Sequence, residues 1–186
     1  MIEQIPNLIT IVRILAIAPI CWLLWQHDYQ NAFVLLLIAG ISDALDGYLA
    51  RRYGWFTRLG AFLDPIADKL FVACVYIVFG LQGYLPWWLV SLVLGRDVII
   101  SGGALAFRWA TGHLEMQPLR ISKLNTVLQI ILLALTLVNI ALYSIPTWLQ
   151  VSVQGAVAIS TLSSGLAYMV LWTRNAMKES HALKQP

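Results

Sequence analysis

Six long apolar runs constrain this chain more than any other feature. They extend over about residues 7 to 25, 31 to 50, 64 to 81, 86 to 109, 124 to 142 and 148 to 172. Each is long enough for a helix that crosses a bilayer, which needs roughly 20 residues. With 60% hydrophobic and 11% charged residues in 186, the chain cannot hide that much apolar surface inside itself. The expected fold class is an all-α integral membrane protein: six transmembrane helices forming one domain over residues 1–186. The opening MIEQIPNLIT has neither the basic n-region nor the cleavage site of a signal peptide, and its IPN step reads as a short N-terminal interfacial segment leading into the first helix. The fifth run reads as almost uniformly apolar. After the sixth comes a basic, polar tail. No internal repeat or low-complexity segment interrupts the series.

Six spans put both termini on one side. Arg51, Arg52, Arg58, Arg108, Arg120, Lys123, Arg174, Lys178 and Lys184 fall on the face that includes the C-terminus, whereas the turns at 26–30, 80–86 and 141–147 hold no Lys or Arg. By the positive-inside rule both termini are cytoplasmic. Trp25, Trp55, Trp87, Trp88, Trp109, Trp148 and Trp172 sit at the expected span ends, a belt pattern, and Trp22 alone lies deeper. The net charge of +3 therefore speaks of orientation and anionic membrane lipid, and gives no support to nucleic-acid binding. Cys21 and Cys74 lie within apolar runs without metal or redox spacing. Arg13 lies inside the first run and is expected to face the bundle.

Four of the nine acidic residues, Asp43, Asp46, Asp64 and Asp68, crowd into one short stretch between apolar flanks. Asp43, Asp46, Gly47 and Ala50 share one face of the second helix, and Asp64 and Asp68, four apart, share a face of the third. Pro65 is expected in the first turn of that third helix. Counting from Asn31 at 1.5 Å per residue puts Asp43 roughly 18 Å and Asp46 roughly 22 Å into the membrane. The four carboxylates would then meet in the inner leaflet, open to the cytosol.

Salt bridges to Arg13, Arg51 or Lys69 are the bland explanation. Each buried aspartate costs roughly 2.5–3.5 kcal/mol even on the lenient insertion scale. Four could cost on the order of 10 kcal/mol, comparable to the roughly 5–15 kcal/mol that stabilises a whole domain. Cations explain the cluster better. All-oxygen ligands suit hard divalent ions such as Mg²⁺ or Mn²⁺, which keep positions open for phosphate oxygens. His27, His113 and His181 are scattered and form no zinc-like set. Gly47 and Ala50 leave room for a ligand to approach the backbone, and Arg51 offers a fork for phosphate. Together these residues suggest a bound diphosphate.

Asp43, Asp46, Gly47, Ala50, Arg51, Gly60, Asp64 and Asp68 fit D-x2-D-G-x2-A-R-x8-G-x3-D-x3-D at every fixed position. On these residues the chain resembles the CDP-alcohol phosphatidyltransferases, whose membrane domain also has six spans. The resemblance implies transfer of a phosphatidyl group from CDP-diacylglycerol to a hydroxyl acceptor, with CMP leaving. It implies two divalent cations, Mg²⁺ or Mn²⁺, held by Asp43, Asp46, Asp64 and Asp68, with Asp68 also acting as general base. Gly47, Ala50, Arg51 and Gly60 would line the donor site, with Asn7 and Thr10 near its phosphates or serving as helix caps. A homodimer is also implied, in a bacterial inner membrane with the active site facing the cytoplasm.

Arg96-Asp97-Val98 and the run Ile121-Ser122-Lys123-Leu124-Asn125-Thr126 look closer to the single-motif cardiolipin synthase branch, whose acceptor is phosphatidylglycerol. Phosphatidylglycerophosphate synthases, which accept glycerol 3-phosphate, are the alternative. They usually show a glutamate after that arginine and a GKxKT-like run, from which Asp97 and Asn125 depart. Either acceptor carries a phosphate, for which Arg96, Arg120 and Lys123 are the candidates. Alternatively, Arg96 pairs with a neighbouring acid, and Arg120 and Lys123 are ordinary positive-inside charges. Functions of other classes are an intramembrane prenyltransferase, a cation transporter or a non-catalytic scaffold. A prenyltransferase usually has more helices and aspartate motifs far apart in sequence, a transporter does not require glycine, alanine and arginine at those offsets, and a scaffold leaves the carboxylate cluster without purpose.

Overall fold

The computed structural model describes residues 5–53, 58–111 and 119–182, and all six runs are helical: α1 (Ile5–Trp25), α2 (Tyr29–Tyr53), α3 (Arg58–Leu81), α4 (Trp87–Thr111), α5 (Arg120–Ala141) and α6 (Thr147–Ala182). There is no strand among the described residues. α5 and the Thr147–Leu171 part of α6 are long and apolar enough to cross a membrane, and Ile14–Trp25 and Tyr29–Ser42 are shorter apolar stretches. Trp22, Trp25, Trp87, Trp88 and Trp148 are each at least 50% exposed.

Several boundaries differ from the expected ones. α1 takes in the IPN step, with Pro6 at its second residue, where a missing N–H costs nothing. α3 begins at Arg58, so Pro65 lies in its interior rather than in its first turn, as Pro19 lies inside α1. A proline there forfeits one backbone bond, which membrane helices tolerate. α6 runs on to Ala182, because Asn175-Ala176-Met177-Lys178-Glu179 contains good helix formers and no glycine or proline to stop it.

The chain forms two compact units: Met1–Pro86 with Leu133–Pro146, and Trp87–Leu132 with Thr147–Pro186. In the first, α1 packs against both α2 and α3. Ile17, Ile20 and Leu24 recur at helical spacing on α1 and are buried, as are Val72, Val75, Tyr76 and Phe79 on α3. Chemistry of the turn residues ends one helix and starts the next. His27, at φ 60, stands where a helix C-terminus favours a left-handed residue: its N–H donates to Leu24 O and that of Asp28 to Leu23 O. Asp28 then caps α2, its carboxylate accepting from the Asn31 backbone N–H at 3.4 Å and side-chain amide at 2.8 Å. Gly83, at φ 80, ends α3 in the same way, with Tyr84 N–H donating to Phe79 O. Gln82 Nε2 donates to Leu24 O at 2.6 Å, tying the two turns together.

In the second unit α4 packs against α6. Leu89, Val90, Val93, Arg96 and Ile100 form the buried stripe of α4, and Val157, Ser160, Thr161, Ser164 and Tyr168 that of α6. α5 contributes Asn125, Gln129 and Leu132.

Candidate active site

The donor motif lies on two helices of the first unit. Asp43, Asp46, Gly47, Ala50 and Arg51 fall in the second half of α2, and Gly60, Asp64 and Asp68 in the first half of α3. The α2 aspartates are three positions apart and the α3 pair four, so each pair shares a helix face. Asp68 is exposed. It lies in the third turn of α3, which begins at Arg58. The side chains of Asp43, Asp46, Gly47, Ala50, Arg51, Gly60 and Asp64 lie outside the described residues, as do those of Asn7, Thr10 and Arg13 on α1. No cluster of three or more metal-ligating residues occurs among the described ones. As a donor set, four carboxylates on two consecutive helices fit hard divalent cations by their oxygen chemistry.

The expected acceptor residues all belong to the second unit, where one is at the centre of a buried polar network. Arg96, 7% exposed, projects from α4. Its Nη1 donates to Asp97 Oδ1 at 2.6 Å, and its Nη2 donates to Ser122 Oγ of α5 at 2.6 Å and to Ser164 Oγ of α6 at 2.5 Å. The guanidinium thus pairs with its neighbouring acid, as the plainer reading of the sequence has it, but is also held by a hydroxyl from each of two other helices. Its Nε–H has no hydrogen-bond partner among the described residues. Arg120 and Lys123, on the first turn of α5, are exposed. Lys123 directly follows the serine that holds Arg96. The Leu119 N–H, just ahead of α5, donates to Tyr168 OH of α6 at 3.4 Å.

A second layer of the network was not foreseen. Asn125 is fully buried, and Ser160 Oγ and Thr161 Oγ1 of α6 each lie 2.8 Å from its Oδ1. α5 is strongly apolar overall, yet Asn125, Gln129 and Thr136 of the fifth run, with Ser122 just ahead of it, make a polar stripe at offsets of 3, 7 and 14 residues from that serine, all on one helix face. Ser160, Ser164 and Tyr168, four apart, form its counterpart on α6. These offsets were the available signal.

A sequence profile of the CDP-alcohol phosphatidyltransferases matches residues 3–174. The chain is 32% identical, over 95% of its length and 32% of the relative's, to the cardiolipin synthase (CMP-forming) / mitochondrial hydrolase fusion protein of Schizosaccharomyces pombe. It is 35% identical, over 89% of its length and 56% of the relative's, to the chloroplastic CDP-diacylglycerol–glycerol-3-phosphate 3-phosphatidyltransferase 1 of Oryza sativa. A Drosophila melanogaster protein named as a probable cardiolipin synthase (CMP-forming) is 34% identical over 73% of the chain and 47% of its own length. The chain thus spans between 32% and 56% of the length of these relatives. Its profile match and these identities make it a member of the CDP-alcohol phosphatidyltransferase family, a family of phospholipid biosynthesis.

Proposed function

We propose that the chain transfers a phosphatidyl group from CDP-diacylglycerol to phosphatidylglycerol, forming cardiolipin and CMP. The observation that carries this reading is the complete eight-position motif from Asp43 to Asp68, distributed over α2 and α3. Family membership supports the donor chemistry and displaces prenyl transfer and ion transport. The acceptor rests on Asp97 and Asn125, together with relatives named cardiolipin synthase.

Asp43, Asp46, Asp64 and Asp68 would hold two divalent cations, Mg²⁺ or Mn²⁺, which when bound neutralise the donor diphosphate and ease departure of CMP. Arg51 binds a donor phosphate through its fork, while Gly47, Ala50 and Gly60 leave the backbone open to the nucleotide; Asn7 and Thr10 contribute polar groups from α1. Asp68 accepts the proton of the acceptor hydroxyl as its oxygen bonds to the phosphatidyl phosphorus. Arg96, Arg120 and Lys123 receive the acceptor's phosphate. All six helices span the membrane, both termini and the active site face the cytoplasm, in a bacterium across the inner membrane, and the enzyme is a homodimer. The turns without Lys or Arg and the exposed tryptophans support this topology.

Glycerol 3-phosphate is the second acceptor in view, favoured by the rice relative. Purified protein in detergent, given Mn²⁺ or Mg²⁺ and CDP-diacylglycerol, should release CMP on addition of phosphatidylglycerol. Release with glycerol 3-phosphate alone would move the chain to that branch, and release with neither would overturn the reading.

A further inference from the structure

Asn125 is absent from the proposed reaction, yet its surroundings single it out. It has no exposed surface, and two hydroxyls of α6 converge on its Oδ1. That anchorage orients the amide and leaves Nδ2 without a hydrogen-bond partner among the described residues. One turn earlier on the same face of α5, Ser122 accepts from Arg96, whose Nε–H is likewise unmatched. Buried donors are costly when nothing accepts from them. At least one donor on each layer of the network, Arg96 Nε–H and Asn125 Nδ2, thus meets no oxygen acceptor among the described residues.

Charge narrows the choice of acceptor. Arg96 brings a single positive charge to the network and already shares it with the partly exposed Asp97 carboxylate at 2.6 Å; Asn125 adds hydrogen-bonding capacity without charge, so the smaller anionic charge is the better match. A buried anion needs matching cationic charge. A phosphodiester carries about −1 whereas a phosphomonoester carries about −1.5 to −2 at neutral pH. We infer that Asn125 is a specificity-determining residue of the acceptor site, donating its amide N–H to a phosphodiester oxygen beside Arg96 and favouring that single charge over a phosphomonoester. This rests on the reading of Arg96 as part of the acceptor site.

The test uses the full chain in detergent with Asn125→Asp and Asn125→Lys. Aspartate keeps an oxygen for Ser160 and Thr161 but replaces the donor with a like charge, so the KM for phosphatidylglycerol should rise about tenfold or more while the KM for CDP-diacylglycerol stays put. Lysine adds the missing charge and should shift the kcat/KM ratio about tenfold towards glycerol 3-phosphate. If charged variants do not fold, Asn125→Ala takes their place, with the phosphatidylglycerol KM again raised selectively. Unchanged acceptor preference in every folded variant, with only thermal stability lowered, overturns the inference. So does an Asn125→Asp enzyme with normal acceptor KM, because the amide oxygen would then be what faces the site. Should the wild type release no CMP with either acceptor, the proposed reaction falls, and Asn125 is judged by binding: thermal stabilisation by glycerol 3-phosphate without donor should be greater in Asn125→Lys than in the wild type, and equal stabilisation overturns the inference.

Discussion

Arg96 of α4 and Ser164 of α6 are joined by a 2.5 Å hydrogen bond, and the serine has no exposed surface. Ser164→Ala removes the acceptor of a charged donor without adding one. Such bonds contribute about 1.5–3 kcal/mol, and α4 and α6 pack directly on each other, so the midpoint of thermal unfolding in detergent should fall by several degrees. Ser164→Thr retains the hydroxyl and should recover most of the loss. An alanine variant as stable as the wild type would show that the hydroxyl contributes nothing to holding the guanidinium.

The four aspartates should separate by role. Asp68→Asn keeps an oxygen ligand but cannot accept a proton, so turnover should fall by about 10²–10⁴-fold while most donor binding survives. Asp43→Asn removes a charged ligand from the cation set and should weaken metal and CDP-diacylglycerol binding together. Metal titration of CMP release and donor-binding measurements on both variants distinguish these patterns. An active Asp68→Asn enzyme would remove the base assignment.

Why were the helices legible in the chain while the polar network was not? Apolar length is a local property, and the run that ends with Asp43 and Asp46 is readable from its own residues. Pro65 misled because a proline interrupts a water-exposed helix more severely than α3, which runs through it from Arg58 to Leu81. Ser164 and Ser122 have only a faint local signature, their offsets along α6 and α5. Each matters through Arg96, 68 and 26 positions away, and a scan for apolar runs treats a few scattered hydroxyls and amides as tolerable exceptions. Asn125 stands out in the sequence only as a departure from the GKxKT-like run. Its burial and its two hydroxyl partners are tertiary facts.

At the α1–α2 turn, Tyr29 OH is 2.9 Å from Tyr84 OH and also hydrogen-bonds His27 Nδ1. Burial, followed by the hydrogen bond with Tyr84, raises the Tyr29 phenol above its ordinary pKa of 10.0. A phenol whose folded value is raised stabilises the fold fully below its unfolded value, and that contribution disappears as pH rises through the folded value. The latch should therefore persist at neutral pH and up to about pH 10, then weaken in stronger alkali. Tyrosinate absorbance should show one phenol of the wild type titrating late, and Tyr84→Phe should bring it back towards normal. An unchanged titration curve in that variant would exclude the latch.

Glycine-to-alanine substitutions at two positions should have opposite effects. Neither Gly83 nor Gly155 would place an added Cβ within 4 Å of another side chain, so crowding cannot decide the outcome. Gly83 ends α3 at φ 80, a left-handed conformation that costs an L-residue roughly 1–2 kcal/mol. Gly83→Ala should therefore lower stability by about 1 kcal/mol, with the strain falling on the turn that Gln82 ties to α1. Gly155 lies within α6, where alanine is favoured over glycine by about 0.8–1.0 kcal/mol. Gly155→Ala should raise stability by up to about that amount, unless close helix packing in an assembly uses the missing side chain. Thermal unfolding of both variants and the double variant in one detergent checks the signs, and the double variant measures whether the two effects add. A destabilised Gly155→Ala protein would instead mark that face of α6 as a packing surface.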